Sequence, residues 1–312
     1  MSAFHADTGF ELGMAVIVPE SDMTIESDEL LRWYAQARRD LPWRKPEVTP
    51  WQILVSEFML QQTPVSRVEP IWLAWIERWP TPSATAAAGS AEVLRAWGKL
   101  GYPRRAKRLH ECAVVISSHH DDVVPADVET LLTLPGIGAY TARAVACFAY
   151  SARVPVVDTN VRRVVARAVH GRADSPASVR DLDDVAALLP DDATAPVFSA
   201  ALMELGATVC TARNPRCGIC PLSVCRWRTA GFPAGTEVKR VQKYAGTDRQ
   251  VRGKLMDVLR ASSSPVTRAQ LDVAWLTDTA QRDRALDSLL VDGLVEQTTD
   301  GRFALAGEGE IP

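Results

Sequence analysis

The stretch LPGIGAYTA, residues 134–142, decides how the rest of the chain is read. Gly136 and Gly138 bracket Ile137, Leu131, Leu132 and Leu134 close one apolar run, and a helical pattern follows from Ala139 to Ala149. Glycine permits positive φ and lets another backbone approach closely. The N–H groups of such a turn, and of the helix start behind it, lack intrahelical partners and suit a phosphate. A helix, LPGIG and a second helix therefore read as a helix-hairpin-helix, which holds a nucleic-acid backbone without reading sequence. A tight helix corner with no ligand is the plainer reading, and the surrounding residues must choose.

Working outward, apolar periodicity predicts helices from Asp28 to Arg38 and over 51–63, 68–79, 90–100 and 103–120. Further helices are expected at 127–133, 139–149, 159–169, 178–189 and 195–209, divided by proline and short Ser/Thr/Gly clusters. No convincing alternating strand precedes residue 230, so the fold class is all-α. The expected divisions are a disordered leader at 1–26, a helical core at 27–209 with the hairpin at 131–150, and a cysteine loop at 210–228. A basic linker at 229–248 then leads to a small domain at 249–308. There, RGKLMDVLRAS, TRAQLDVAWL and TAQRDRALDSLLVDG predict three helices, and LVEQTTDGRFAL a hairpin turning at Asp300-Gly301, a winged-helix-like outline. Such a module binds DNA or merely packs, and the acids on its helices favour packing.

The leader carries acids where a signal peptide starts basic, and Met23 offers a second candidate start. No run approaches the roughly 20 apolar residues of a membrane span. The expectation is a cytoplasmic protein with no membrane partner. The formal net charge of −3 conceals an uneven distribution. Residues 213–254 hold ten Lys/Arg against Glu237 and Asp248, whereas 273–312 hold eight Asp/Glu and three Arg. A cancelled total can hide a basic face for nucleic acid, although a charge run is also ordinary solvated surface.

Four of the six cysteines, Cys210, Cys217, Cys220 and Cys225, fall in one short loop. A cytosolic chain has little use for them as disulfides. Four thiolates can hold zinc or a [4Fe–4S] cluster. Structural zinc usually takes two CxxC knuckles across a long gap. Here a single CxxC has one outer cysteine on each side, and this favours the [4Fe–4S] cluster. Cys112 and Cys147 lie on apolar helical faces and read as core.

In order, SEFMLQQT, LGYPRRAKRLH, LPGIGAYTARA, VVDTNVRRV and the cysteine loop resemble the helix-hairpin-helix DNA glycosylases that carry an iron–sulfur cluster. The resemblance runs from LPWR at 41–44 to Cys225 and is strongest to the adenine DNA glycosylase branch. It implies a two-lobed body, a [4Fe–4S] cluster on the four cysteines, and a monomer acting on double-stranded DNA with A:8-oxoguanine or A:G mispairs. In that family the glutamate of the SE-x-M-L-Q-Q-T run, here Glu57, the aspartate of V-D-x-N, here Asp158, and the LPGIG hairpin with Leu134, Gly136 and Gly138 are the working parts. By the same resemblance Gln61, Gln62 and Thr63 belong to the run that fills the duplex, and Tyr102 wedges beside the lesion. Trp43, Arg44, Leu60 and Glu204 would line the adenine pocket.

Four departures stand out. The last cysteine gap, PLSV, is four residues where the family usually has five, and Pro103 replaces a frequent second tyrosine. Arg162 stands where some relatives carry a lysine. The tail shows no counterpart of the family's usual Nudix-related domain, which recognises 8-oxoguanine. Arg104, Arg105, Lys107 and Arg108 are expected at phosphates or in solvent rather than at bases.

Strand-cutting relatives have a lysine where Tyr140 stands, and its amine forms a Schiff base. A phenol cannot, so base removal alone is expected. Adenine leaves once protonated and its departure makes an oxocarbenium-like sugar, which requires one acid and one anion. Glu57, among apolar neighbours, is the expected acid and then the base for water. Asp158 is expected to stabilise C1′, by charge or by a covalent bond, with Asn160 and Tyr140 orienting the pair. Asp158 also suits a simple N-cap, and Glu57 a lone helical acid. Two rivals remain, a thymine or uracil mismatch glycosylase of the same family and a non-catalytic iron–sulfur DNA-binding regulator.

Overall fold

The structure, a computed structural model, describes residues 25–236 and 244–309. The expected leader therefore lies almost wholly outside the described residues, as do Lys239, Arg240 and Lys243 of the basic linker. Within the described chain the helices run in sequence order. The chain begins with α1 (Ser27–Ala37), which packs in the second lobe; the first lobe holds α2 (Pro50–Leu60), α3 (Val65–Arg78), α4 (Pro82–Ala86), α5 (Ser90–Trp97), α6 (Arg104–His119), α7 (Val128–Thr133) and α8 (Ala139–Tyr150). There follow α9 (Thr159–Ala168), α10 (Asp181–Leu188), α11 (Ala195–Thr208) and the short α12 (Arg226–Thr229). The tail contains α13 (Asp248–Ala261), α14 (Arg268–Asp272), α15 (Thr279–Val291), β1 (Val295–Gln297) and β2 (Phe303–Leu305).

Local chemistry sets the ends that matter. Thr49 and Gln52 form a capping box, and Pro50 at the first turn starts α2 where its missing N–H costs nothing. α2 stops at Leu60, three residues before the expected end, and Gln62 takes the left-handed conformation at φ 54°. QQT is thus a loop at the mouth of the helix that carries Glu57. α4 is a short helix within one of the proline-containing dividers between the longer helices; Thr81 accepts from the Ala84 N–H and caps it.

The helices enclose two cores. In the first, Trp51, Leu54 and Phe58 of α2 pack with Trp72, Trp75, Leu94, Trp97, Leu109 and Val145. In the second, α1 crosses the chain to place Leu30 and Tyr34 against Val161 and Val165 of α9 and Phe198, Leu202 and Leu205 of α11. The segment 151–158 joins α8 of one core to α9 of the other.

The tail forms three helices and a two-stranded antiparallel hairpin, with Val295 opposite Leu305 and a further bridge from Val266 to Phe303. Distinct in sequence, it is continuous in packing. Val251, Leu255, Leu259, Leu286 and Leu305 belong to the first core. Polar contacts reinforce the seam: Arg95 pairs with Glu308, and Arg104 of α6 and Arg252 of α13 share Asp292. Burying charges without partners is costly, so Asp292, with a 4% exposed side chain, has its negative charge matched from both sides of the seam. The exposed charges on α15 are of both signs, Arg284 and Asp287, and Asp278 caps its first turn.

Candidate active site

Glu57 sits on α2 between buried Ser56 and Phe58 and is itself only 6% exposed. Burial pushes its carboxyl up to about 7, against the lowering effect of a hydrogen bond with Tyr140; the charge of Asp158 raises it and that of Arg44 lowers it. Tyr140, in the first turn of α8, stays protonated well above the ordinary phenol range because it is buried and faces the charges of Glu57 and Asp158. The phenol O–H therefore has one orientation that serves both groups: it donates to the carboxyl. The residue that follows the hairpin and the acid of α2 form one hydrogen-bonded pair.

Asp158 arrives from the other lobe. It caps α9, its Oδ1 accepting from the backbone N–H of Asn160 at 2.8 Å and of Val161 at 2.7 Å. Its Oδ2 accepts from Asn160 Nδ2 at 2.7 Å. Asn160 is oriented in turn by Arg163, which donates to its Oδ1 at 2.8 Å. Thus capping and charge placement are the same act: three N–H donors fix an anion at a helix N-terminus, aimed at the cleft where Glu57 lies. The close approach of α11 depends on Gly206, where an added Cβ would lie 2.7 Å from Asn160 Cβ and from its carbonyl oxygen.

A third acid supports the cleft. Glu204, wholly buried, accepts from Arg39 Nε at 2.7 Å and Nη2 at 2.9 Å, and pairs with Arg44 Nη2 at 2.9 Å. Burial alone would raise its carboxyl, but Arg39 and Arg44 hold it below the usual range. Arg44 Nη1 is buried with no protein partner and remains available as a donor. Trp43 turns edge-on to Trp72, ring centroids 5.8 Å apart, and belongs to the first core, with Leu60 packed against it. Nothing in RRDLPWR marked Arg39; its partner lies 165 residues away.

The expected DNA-facing loops are two, and one residue joins them. Arg105 donates from Nη1 to the carbonyls of Phe58 at 2.9 Å, Met59 at 3.2 Å and Gln61 at 2.5 Å, and from Nη2 to Thr63 Oγ1 at 3.0 Å and Gly101 O at 3.2 Å. It was expected at phosphates or solvent; it is an internal strut instead, since the last carbonyls of α2 need donors. Burial lowers its pKa to about 10, and the charge of Arg249 also presses it down. Arg104, still largely exposed to solvent, pairs with Asp292 of the tail, and Lys107 donates to the Asp292 carbonyl. Arg108 pairs with Glu111 on its own helix.

Gln62 is exposed, while Gln61 donates to Thr141 Oγ1 at 3.3 Å. Thr63 is 7% exposed and donates to the Gln61 and Leu100 carbonyls, so its side chain braces the loops and does not face a ligand. Tyr102, 37% exposed, has φ 49°. Left-handed backbone at two non-glycine residues, Gln62 and Tyr102, is strain of the kind that gathers at binding sites.

The hairpin itself corrects the sequence reading in part. Gly136 has φ 78°, and a Cβ there would lie 2.6 Å from Arg108 Cβ and 2.9 Å from Phe58 Cε1. Gly138 has φ −100°, which any residue adopts, and a Cβ would meet nothing. No intramolecular demand explains this second glycine. Leu134 is buried, so it could meet a ligand only through its backbone. The N-cap of α8 is Gly138 with no side-chain cap, leaving the first N–H groups of the helix open.

In the second lobe Cys210, Cys217, Cys220 and Cys225 line one cavity with Arg167 and Trp227. Among the described residues no three His, Cys, Asp or Glu side chains gather closely enough for a single metal ion. Sulfurs spaced round a cavity fit a cluster with a thiolate at each corner better than a lone zinc. Arg167, 5% exposed, reaches Cys210 Sγ at 3.5 Å and stacks 4.6 Å from the Trp227 ring centroid. A buried cation beside four thiolates would offset part of the net negative charge that a thiolate-ligated cluster carries. Elsewhere along the expected basic run Arg228 donates to the Leu222 and Ser223 carbonyls and Arg252 pairs with Asp292, while Arg213, Arg216, Arg249 and Lys254 are exposed.

Compared with known proteins, residues 55–182 match the family model of the HhH-GPD superfamily base excision DNA repair proteins. Residues 210–223 match the iron-sulfur binding domain of endonuclease III, a match that ends before Cys225, where the last gap is short. The adenine DNA glycosylase of Mycolicibacterium smegmatis is 85% identical over 288 residues, 92% of this chain and 98% of that protein. That of Mycobacterium tuberculosis is 70% identical over 303 residues, 95% of this chain and 100% of its own. Among solved structures, a thermostable thymine-DNA glycosylase superposes with a TM-score of 0.59 at 27% identity, covering 65% of this chain and 95% of that one.

Proposed function

This chain belongs to the adenine DNA glycosylases of the HhH-GPD superfamily, enzymes that carry an iron–sulfur cluster, and from that premise we propose that it hydrolyses the N-glycosidic bond of adenine opposite 8-oxoguanine or guanine in duplex DNA without cutting the strand. The observation that supports this reading most is the pair of unlike carboxyls: Glu57, buried and raised to about 7, opposite Asp158, whose side chain accepts from three N–H donors.

The base leaves the stack to reach the cleft. Arg44, with its unpartnered Nη1, contacts the extruded adenine, and Glu204 fixes that guanidinium. Glu57, protonated in a good part of the molecules near neutral pH, gives its proton to a ring nitrogen, and the C1′–N bond breaks with its electrons going to adenine. Asp158 faces the positive charge developing at C1′. Glu57, now a carboxylate, takes a proton from water as water bonds to C1′. Tyr140 directs Glu57 and offers no amine, so no imine forms. Gln61 and Gln62 fill the vacated stack, and Tyr102 wedges beside it.

Cys210, Cys217, Cys220 and Cys225 are the residues that would hold the [4Fe–4S] cluster, which would fix the loop in place. No position is left for substrate, so its task is structural. Among the described residues no helix is long and apolar enough to cross a membrane. We take the active species to be a monomer, since both carboxyls come from one chain.

Single-turnover assays on duplexes with A opposite 8-oxoguanine, A opposite G and T opposite G test the reading. Adenine release with an intact strand until alkali is added is the expected result. Preferential thymine release would make this a thymine-DNA glycosylase like its structural neighbour, and strand scission without alkali or trapping by borohydride would end the monofunctional assignment.

A further inference from the structure

The described tail, three helices and a hairpin, reaches the wedge. Arg249, in the first turn of α13, lies 4.1 Å from the centroid of the Tyr102 ring, and Arg105 lies 5.3 Å from it. Tyr244, just before α13, is 5.8 Å from the same Arg249 guanidinium. A cation in the first turn of a helix opposes the macrodipole, so its own helix gives it no reason to be there. The placement is firm, because Arg252, one turn on, is tied through Asp292 to Arg104 of α6.

We propose that Arg249 is a positioning residue for lesion recognition: the tail stacks its guanidinium on Tyr102 and holds that strained ring ready to enter the duplex beside the mispair. The inference rests on the wedge role given to Tyr102 above. Tyr102 has φ 49°, a conformation with a cost for a bulky side chain, and two guanidinium groups offset that cost by stacking on its ring. A free wedge would lose side-chain freedom on binding; a stacked one has lost it already, and affinity improves accordingly. The tail would therefore contribute to lesion choice through the glycosylase body's own tyrosine.

The test is a double-mutant cycle of Arg249→Ala and Tyr102→Ala in the full-length chain, binding A:8-oxoguanine and fully matched duplexes at fixed salt. Arg249→Ala should weaken lesion binding about fivefold, the scale of a partly exposed cation–π contact. It should leave matched-duplex affinity, melting temperature, iron content and the excision rate at saturating enzyme within about twofold. Arg249→Lys should recover most of the lesion binding. The double variant should bind no more weakly than Tyr102→Ala alone. Additive losses, or an equal loss on both duplexes with a shallower salt dependence, would instead make Arg249 an ordinary phosphate contact and overturn the proposal. Absence of adenine release by the wild type is a separate failure, that of the proposed function, and shows before any variant is made.

Discussion

The two carboxyls of the cleft ride on different cores and are treated in opposite ways. Glu57 projects from α2, whose neighbours Leu54, Val55 and Phe58 are fully buried, and the first core withholds water from it. Asp158 opens α9 of the second core and receives three N–H donors. Removing water favours the neutral form, and supplying donors favours the charged one. The lesson is that acid and anion are set by the kind of neighbour each lobe supplies, since the side chains differ by one methylene.

The sharpest way to break this comparison is to make the acid unable to donate. Glu57→Gln preserves shape but has no carboxyl proton, and excision should fall by about 10³–10⁴-fold while lesion binding persists. Near-normal single-turnover excision would remove Glu57 from the mechanism.

The second prediction separates capping from charge on the other side. Asn is also a good N-cap, so Asp158→Asn should change unfolding stability by less than about 1 kcal/mol. It deletes the anion, however, and excision should drop by about 10²–10³-fold. If both stability and rate stay unchanged, Asp158 is a cap and nothing more.

A third test uses pH. Burial lifts Glu57 from 4.5 to about 7, so between those values the folded chain keeps a proton that the unfolded chain has released. The contribution of this residue to stability is therefore lost as the pH rises through that window. Glu57→Gln escapes the loss: it should be more stable than wild type by on the order of 3 kcal/mol at pH 8, an advantage that shrinks away toward pH 4. Wild-type excision, which needs the protonated acid, should decline above about pH 7. Denaturant melts and rate profiles across this range would expose a pH-independent difference, which the buried-acid account does not allow.

The mildest perturbation is at the close approach of α11. Gly206→Ala inserts a Cβ 2.7 Å from Asn160, so one backbone must yield and the brace behind Asp158 shifts. We expect a loss of about 1–3 kcal/mol in stability and roughly tenfold in excision, with Glu57 titrating as before. A variant with wild-type rate would show that Asn160 tolerates displacement.

Residue type, spacing and order were enough to expect helices, a hairpin built on Gly136, four cysteines in one loop and a glutamate in apolar company. These are local properties: they depend on neighbours within a turn or two, and a linear chain displays them. Gly138 was misread because a glycine in the sequence does not state its φ, which is −100°. Within the basic run from 213 to 254, Arg228 meets carbonyls and Arg252 a carboxylate, which charge in a sequence does not state. What only the tertiary structure decided is long-range. Arg39 reaches Glu204 across 165 residues, Arg105 joins the two loops, Gly206 admits Asn160, and the tail enters the first core to lay Arg249 on Tyr102. Each partner is an unremarkable residue where it stands in the chain, and becomes specific only when packing sets the distance and excludes water.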